Sequence, residues 1–372
     1  MNVLILSAST GAGHMRASNA LKSYIAKTEK DINVEVVDVF KYINPLLNKT
    51  VCKGYLYLAT KTPRFYGKIY ASTNKDSKIP SKLTKPIVLF NRKLMRLINY
   101  FKPNVIVTTH PFVTEMVSRL KNQEKINIPL VCIMTDYAPH KTWIHKHVDA
   151  YIVANDDMPS EMIKLGVPKE IIHSFGIPID EVFFNQKDKK DLRKNLKLNE
   201  ELPTVLIMAG SFGVKNILDI YNDIIKIPTE FQIIVITGRN EKLYSAFKEI
   251  LPNSSKPTEL IFFTHEVDKY MHSSDIIITK PGGLTISEAL ACNIPMVLFD
   301  AIPGQEQENA QFLVNHNMAI LLEKDKDCSY VIQNLLDDKA RLEFMQNSCK
   351  VFDKSESCKN ILNLIKKLCK TS

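Results

Sequence analysis

Short apolar runs alternate with amphipathic stretches along most of this 372-residue chain. Val3–Ser7 reads as a strand, Arg16–Lys27 as a helix and Val34–Val39 as a second strand. Further on, Val105–Thr109, Leu130–Met134 and Ala150–Ala154 read as strands, with a helix over Thr114–Lys121. Apolar runs this short, separated by helical spacing, predict a parallel sheet with helices on both faces. Gly176-Ile177-Pro178-Ile179-Asp180 then reads as a hinge, and the polar run Asn185–Glu201 follows. The pattern repeats with strands expected at Thr204–Ala209, Ile233–Thr237, Leu260–Phe263, Ile276–Thr279 and Pro295–Phe299. Asn360–Leu368 has the spacing of an amphipathic helix. A chain of this length exceeds what one core usually serves. The expectation is an α/β protein of two domains, residues 1–178 and 179–352, with a terminal helix over 353–372.

Charge sharpens this picture in one place. Between Lys41 and Lys102 stand fourteen Lys and Arg against a single acid, Asp76, while the whole chain carries +9. The same segment holds Tyr55, Tyr57, Phe65, Tyr66, Tyr70, Phe90, Tyr100 and Phe101. Basic residues interleaved with aromatic ones suit an anionic membrane surface. A solvated basic face over a core helix is the bland alternative, and no nucleic-acid motif appears. The seven cysteines form no CxxC pair, so neither zinc nor a redox motif is suggested. Their odd number, and an opening that reads as a strand rather than a basic leader, point to a reducing cytoplasm. No apolar run is long enough to span a bilayer.

Candidate chemistry sits after the strands. Ile276-Ile277-Ile278 runs into Lys280-Pro281-Gly282-Gly283-Leu284-Thr285-Ile286-Ser287-Glu288. Pro281, Gly282 and Gly283 break the strand, and Thr285 or Ser287 can cap a helix with Glu288 in its first turn. A glycine turn feeding a helix start offers free N–H groups and the positive dipole end to a diphosphate. Glu288 can accept hydrogen bonds from both hydroxyls of a ribose. After Met296–Phe299, the loop Pro303-Gly304-Gln305-Glu306-Gln307-Glu308-Asn309 is rich in amides and carboxylates, which suits a polyol. Phosphate, diol and polyol on consecutive loops describe a nucleotide-sugar site. Gly210-Ser211-Phe212-Gly213 allows close backbone approach to a ligand, or is an ordinary turn. Gly238-Arg239 offers a phosphate partner, or a surface side chain.

In the first half, Ser7–His14 follows the first strand and faces the carboxyl edge of the sheet. Gly11 and Gly13 lack the third glycine of a dinucleotide fingerprint, since Arg16 stands at that step, so a nicotinamide site is disfavoured. His14 is either an acceptor-side base or orienting group, or a capping or core histidine. Asp136, exposed where a strand ends at Thr135, is a general base, a partner for His14, or a helix cap. His110 either lines the acceptor pocket or turns the chain. Tyr137, His140, Trp143 and His145 stand close to Asp136.

Together these segments resemble glycosyltransferase family 28, which includes bacterial diacylglycerol glucosyltransferases and plant galactolipid synthases. The likeness is strongest over Thr135–His145 and Lys280–Asn309. It implies the GT-B architecture: two Rossmann-like domains whose parallel sheets face an interdomain cleft, with the terminal helix packing back on the first domain. It further implies inverting transfer from UDP-glucose to 1,2-diacylglycerol, on the inner face of the cell membrane, with the basic segment meeting anionic lipids. In the family, the carboxylate matching Glu288 holds the ribose and the pair matching Gln305 and Glu306 contacts the sugar. The donor set implied also takes in Pro281, Gly282, Gly283, Leu284, Thr285, Asn309, Gly210, Ser211, Phe212, Gly213, Gly238 and Arg239. Phe263, Thr264 and Val267 occupy the place where uracil is read. His14 and Asp136 are the implied catalytic residues, and Gly13, His110, Tyr137, His140, Trp143 and His145 the acceptor side. Three histidines and an aspartate invite a metal, but this architecture neutralises the diphosphate with helix ends and basic residues, so no cofactor or metal is expected. A UDP-galactose donor, N-acetylglucosamine transfer to a lipid-linked acceptor and UDP-sugar 2-epimerisation remain as alternatives. The sequence is silent on oligomeric state.

Overall fold

A computed structural model describes residues 1–9, 12–44, 62, 67–68, 72, 91–208, 214–322 and 328–371. Most of the basic, aromatic segment and the loop Gly210-Ser211-Phe212-Gly213 lie outside the described residues, as does Gly11. In the first half β1 (Asn2–Ser7), α1 (Ala12–Thr28), β2 (Asn33–Asp38), α2 (Val39–Ile43) and α3 (Asn91–Phe101) come in that order. They are followed by β3 (Val105–Thr108), α4 (Pro111–Asn122), β4 (Leu130–Ile133), β5 (Ala150–Ile152), α5 (Met158–Lys164) and β6 (Ile172–His173). The second half runs α6 (Lys189–Asn195), β7 (Thr204–Met208), α7 (Val214–Ile224), β8 (Gln232–Ile236), α8 (Glu241–Ile250), β9 (Thr258–Ile261) and α9 (Val267–Ser273). It continues with β10 (Ile276–Thr279), α10 (Gly283–Ala291), β11 (Met296–Leu298), α11 (Gln305–Asn315), β12 (Ala319–Leu321), α12 (Cys328–Asp337), α13 (Lys339–Val351) and α14 (Ser357–Thr371).

The strands form two six-stranded sheets, ordered β2-β1-β3-β4-β5-β6 and β12-β11-β10-β7-β8-β9, with every pairing parallel. Alternation within each strand sends neighbours to opposite faces. Val3 and Ile5 therefore enter one core with Val105, Val107, Val131 and Ile133. Leu4 and Leu6 enter another, which runs without a break through the domain contact to Leu206, Ile277, Leu284 and Ile286. Val205, Ile207, Ile276 and Ile278 face the outer core of the second sheet. Both faces of each sheet are buried, which is why the strands read as unbroken apolar runs.

The hinge and the terminal helix meet. Gly176 has φ 90°, and a Cβ there would lie 2.7 Å from Lys354 Cβ. Ser357 Oγ donates to the Gly176 carbonyl at 2.8 Å. From that anchor α14 crosses back and buries Cys358, Ile361, Leu362 and Ile365 against Val3, Ile5 and the face of α1 bearing Leu21 and Ile25. Lys366 closes the contact on Glu29 at 2.6 Å. Each such aliphatic side chain contributes roughly 1.5–3 kcal/mol on burial. Among the described residues no helix is long and apolar enough to cross a membrane.

Candidate active site

In each sheet the chain reverses direction beside its first strand, so ligands are expected beyond β1/β3 and β7/β10. Beyond β1 and β3 stand His14 and His110, with ring centroids 4.8 Å apart and edge to face. Beyond β10 stand Lys280, Pro281, Gly282 and Gly283.

The helix after β10 starts earlier than the sequence suggests. Gly282 is its N-cap, extended at φ −77° and ψ 129°, and no side chain caps it. Neither Thr285 nor Ser287 is the cap; Ser287 Oγ donates to the Gly283 carbonyl within the helix instead, and Glu288 falls in the second turn. A serine or threonine cap would have consumed an amide at this end. The glycine leaves those amides for a ligand.

Glu288 is 2% exposed on a helix otherwise lined by Leu284, Ile286, Ala289 and Leu290. Its Oε1 pairs with the guanidinium of Arg16, from α1 of the other domain. Its Oε2 has no hydrogen-bond partner among the described residues. Burial pushes the Glu288 carboxyl up to about 7, against the opposing pull of Arg16 and with a further push from Asp180.

Other contacts fasten the two sides. Gly283 abuts the Thr135 carbonyl so closely that a Cβ would lie 2.0 Å from that oxygen. Gly283→Ala is thus expected to wedge the domains apart. A larger radius of gyration in solution scattering and a melting temperature lower by a few degrees are the readouts. An unchanged scattering curve would show that the contact is already open in solution. Tyr137 Oη and Ser287 Oγ lie 2.9 Å apart, and the Tyr137 amide donates to Asn309 Oδ1 at 2.8 Å. Asn309 Nδ2 donates to the Pro281 carbonyl at 3.1 Å. Tyr137 and Asn309, expected to touch acceptor and donor, are spent here on the domain contact. Gln305 Nε2 donates to Asp136 Oδ1, so the amide expected to read the sugar meets the carboxylate expected to face the acceptor.

On the acceptor side, His14 Nδ1 lies 2.9 Å from Thr135 Oγ1. The group at hydrogen-bond distance from this ring nitrogen is Thr135, not Asp136. The His14 carbonyl accepts from Ser18 Oγ at 3.0 Å and from Thr109 Oγ1 at 3.2 Å, which fixes the start of α1. Burial lowers the His14 imidazole to about 4, opposed by a hydrogen bond with the Thr109 backbone. His110 is buried with its ring against Phe40 and Phe112, and burial holds it well below the usual histidine range. Asp136 is buried, receives Trp143 Nε1–H at 3.3 Å, and is pushed by burial up to about 6 against its hydrogen bonds from Gln305, Trp143 and Asn309.

His140 and His145, expected on the acceptor side, both make contacts with the turn that carries Trp143. His140 Nδ1 accepts the Thr142 amide at 3.2 Å and caps the short turn Lys141–Trp143. His145 Nε2 lies 3.0 Å from the Thr142 carbonyl, and its amide donates to Tyr151 Oη at 2.8 Å. Both therefore hold Trp143, which in turn holds Asp136. Glu306 Oε2 accepts the Ile302 amide at 3.0 Å and so braces the loop leading into α11. At the far edge, the Arg239 guanidinium lies 4.4 Å above the Phe263 ring, beside Gly238; Thr264 Oγ1 accepts the Glu266 amide at 2.9 Å just before Val267 opens α9. Gly13 packs on Leu284, with a virtual Cβ 3.6 Å from the Leu284 Cβ. Arg16 and Thr135 were not singled out as site residues by the sequence. The signal for Arg16 was present: a cation stands one step past the glycine loop, where a fingerprint would carry glycine. Among the described residues no group of His, Cys, Asp or Glu is arranged to hold a metal ion.

Two Rossmann-like domains meeting across a cleft that carries a glycine-capped helix, a buried carboxylate and a buried histidine pair have the architecture of a GT-B nucleotide-sugar enzyme. Solved structures agree on the fold. MurG of Acinetobacter baumannii superposes with a TM-score of 0.63 at 14% identity, covering 98% of this chain and 99% of that one. The UDP-GlcNAc 2-epimerase of Neisseria meningitidis, bound to UDP-GlcNAc, does so at 0.61 and 15% identity, covering 99% and 100%. Residues 14–179 match the family model of monogalactosyldiacylglycerol synthase, and residues 204–365 that of the glycosyltransferase family 28 C-terminal domain. The processive diacylglycerol beta-glucosyltransferase of Staphylococcus carnosus is 34% identical over 370 residues, 98% of this chain and 93% of that protein. The chain belongs to the processive diacylglycerol beta-glucosyltransferase family, within glycosyltransferase family 28.

Proposed function

We propose that this enzyme transfers glucose from UDP-glucose to the free hydroxyl of 1,2-diacylglycerol, with inversion, at the cytoplasmic face of the membrane. The observation that carries the reading is the juxtaposition across the cleft. His14 sits on one wall, and on the other the open helix start at Gly283 stands five residues before Glu288. Glu288 would hold the ribose and the amides of α10 the diphosphate. Gln305 and Glu306 would meet the sugar, and Phe263 with Arg239 would border the uracil. With hydrogen on Nδ1 donated to Thr135, the His14 Nε2 lone pair takes the acceptor proton as the hydroxyl oxygen attacks the anomeric carbon and UDP departs. Asp136, held by Trp143, is the second candidate for that proton.

The membrane part rests on charge. On α3, Leu94, Leu97 and Ile98 are buried while Arg92, Arg96 and Tyr100 are exposed, Tyr100 to 87%. The test supplies diacylglycerol in anionic liposomes with each UDP-sugar in turn, and identifies the lipid product by mass spectrometry. Glucosyl-diacylglycerol from UDP-glucose alone is expected. A galactolipid would shift the donor assignment, and sugar isomerisation without lipid would favour the epimerase chemistry. In the same assay, Arg92→Gln with Arg96→Gln should weaken liposome binding by about thirtyfold, since each of the two charges near such a surface contributes on the order of 1 kcal/mol. Transfer to a short-chain, water-soluble diacylglycerol should survive. Equal loss on the soluble acceptor would place these arginines in the active site instead.

A further inference from the structure

The reading above leaves Arg16 without a role, yet it makes the only described ion pair to the buried carboxylate of the donor site. Its side chain is 44% exposed while that of Glu288 is 2% exposed, so the guanidinium is the movable partner and the carboxylate the fixed one. A ribose presents two hydroxyls to a carboxylate. Oε2 of Glu288 is ready for one of them. Oε1 is held by Arg16 and must be released for the other.

The released guanidinium has a destination nearby. Gly13, one turn before Arg16 on α1, packs against Leu284 in the first turn of α10. The Gly282 amide donates to the Lys280 carbonyl at 2.8 Å, so the uncapped amides begin at Gly283, and Glu288 lies five residues beyond it. At 1.5 Å per residue, carboxylate and amides are about 7.5 Å apart along the helix. Arg16 stands beside that interval. The starts of α1 and α10 also converge here, so an anion between them meets two positive helix ends.

We propose that Arg16 is a donor-contacting residue with two stations: on Glu288 when the cleft is empty, and on the UDP diphosphate once the ribose takes Glu288. In the first station it compensates a carboxylate that would otherwise be buried alone. In the second it bridges the acceptor domain to the leaving group, so that the departing charge is neutralised. Guanidinium suits both stations, because its planar fork meets carboxylate and phosphate alike. The inference rests on the UDP-sugar reading of the cleft.

The test compares binding of UDP and of uridine by calorimetry for wild type, Arg16→Gln and Arg16→Lys. Uridine carries the ribose without the diphosphate, so the ratio of the two affinities isolates the second station. Any change at Glu288 affects both ligands alike and cancels. In Arg16→Gln the preference for UDP over uridine should shrink roughly ten- to hundredfold. Arg16→Lys, which keeps the charge without the fork, should fall between. Equal weakening of both ligands would overturn the proposal and leave Arg16 as a prop for Glu288. Unchanged affinities would overturn it as well. Failure of the wild type to bind UDP at all would sink the donor reading itself, and the proposal with it.

Discussion

His14→Ala should lower kcat about 10²–10⁴-fold while leaving UDP affinity intact, because a general base acts in the transition state and not on the bound nucleotide. The ring lies on the acceptor wall, bonded to Thr135 and edge to face with His110, and belongs to the other domain from the donor helix. Its pH signature follows from its surroundings. Burial lowers the imidazole to about 4, so the neutral, proton-accepting form is present throughout the range from 5 to 9. The rate should show no histidine limb near 6.5 and should lose the contribution of His14 only as pH falls through about 4. A collapse of UDP affinity in the alanine variant would move His14 to the donor side. A rate limb near 6.5 abolished by the mutation would show that the ring is solvated in the working enzyme.

Glu288→Ala should cut kcat/KM for the donor a hundredfold or more. Two charge-assisted hydrogen bonds to the ribose are lost, each worth roughly 1.5–3 kcal/mol. Wild-type kinetics in a folded variant would refute the assignment. The carboxyl titrates near 7 rather than at its ordinary 4.5, so donor KM should rise as pH drops below about 7 and the acid form takes over. Stability moves the opposite way. A carboxyl whose pKa is raised by folding favours the native state fully below 4.5, and that contribution disappears as pH rises through about 7. At pH 8 the ionised Glu288 therefore costs up to about 3 kcal/mol. Glu288→Gln should melt at a higher temperature than wild type at pH 8 and show little difference at pH 4.

The sheets were legible because their strands are buried on both faces. Ile276-Ile277-Ile278 and Val205-Leu206-Ile207 have no polar position to confuse the period. The edge strands β6 and β12 escaped notice because they are two and three residues long and carry half-buried side chains. Within the site, Gly282-Gly283 stood out as a break between strand and helix, and Glu288 as a carboxylate near the start of that helix. The partner of each group was not legible. Arg16 and Glu288 are separated by 272 residues, and Asp136 and Gln305 by 169. Loop patterns are read one at a time, whereas these pairs exist only once two sheets have been brought together. The local contacts of the 140–145 loop were equally hidden: the His140 ring meets the Thr142 amide and hydroxyl, and the His145 ring meets the Thr142 carbonyl.

The path of α14 has a consequence for synthesis and engineering. The core on one side of the first sheet is finished by Ile361, Leu362 and Ile365, and the clasp between Lys366 and Glu29 spans 337 residues of sequence. On the ribosome, Val3, Ile5 and the inner face of α1 must therefore wait uncovered while the whole second domain is made. The first half is translated before the second and completed after it, which exposes its apolar face to aggregation and to chaperones in the interval. Deletions or insertions within α14 should accordingly injure the first domain.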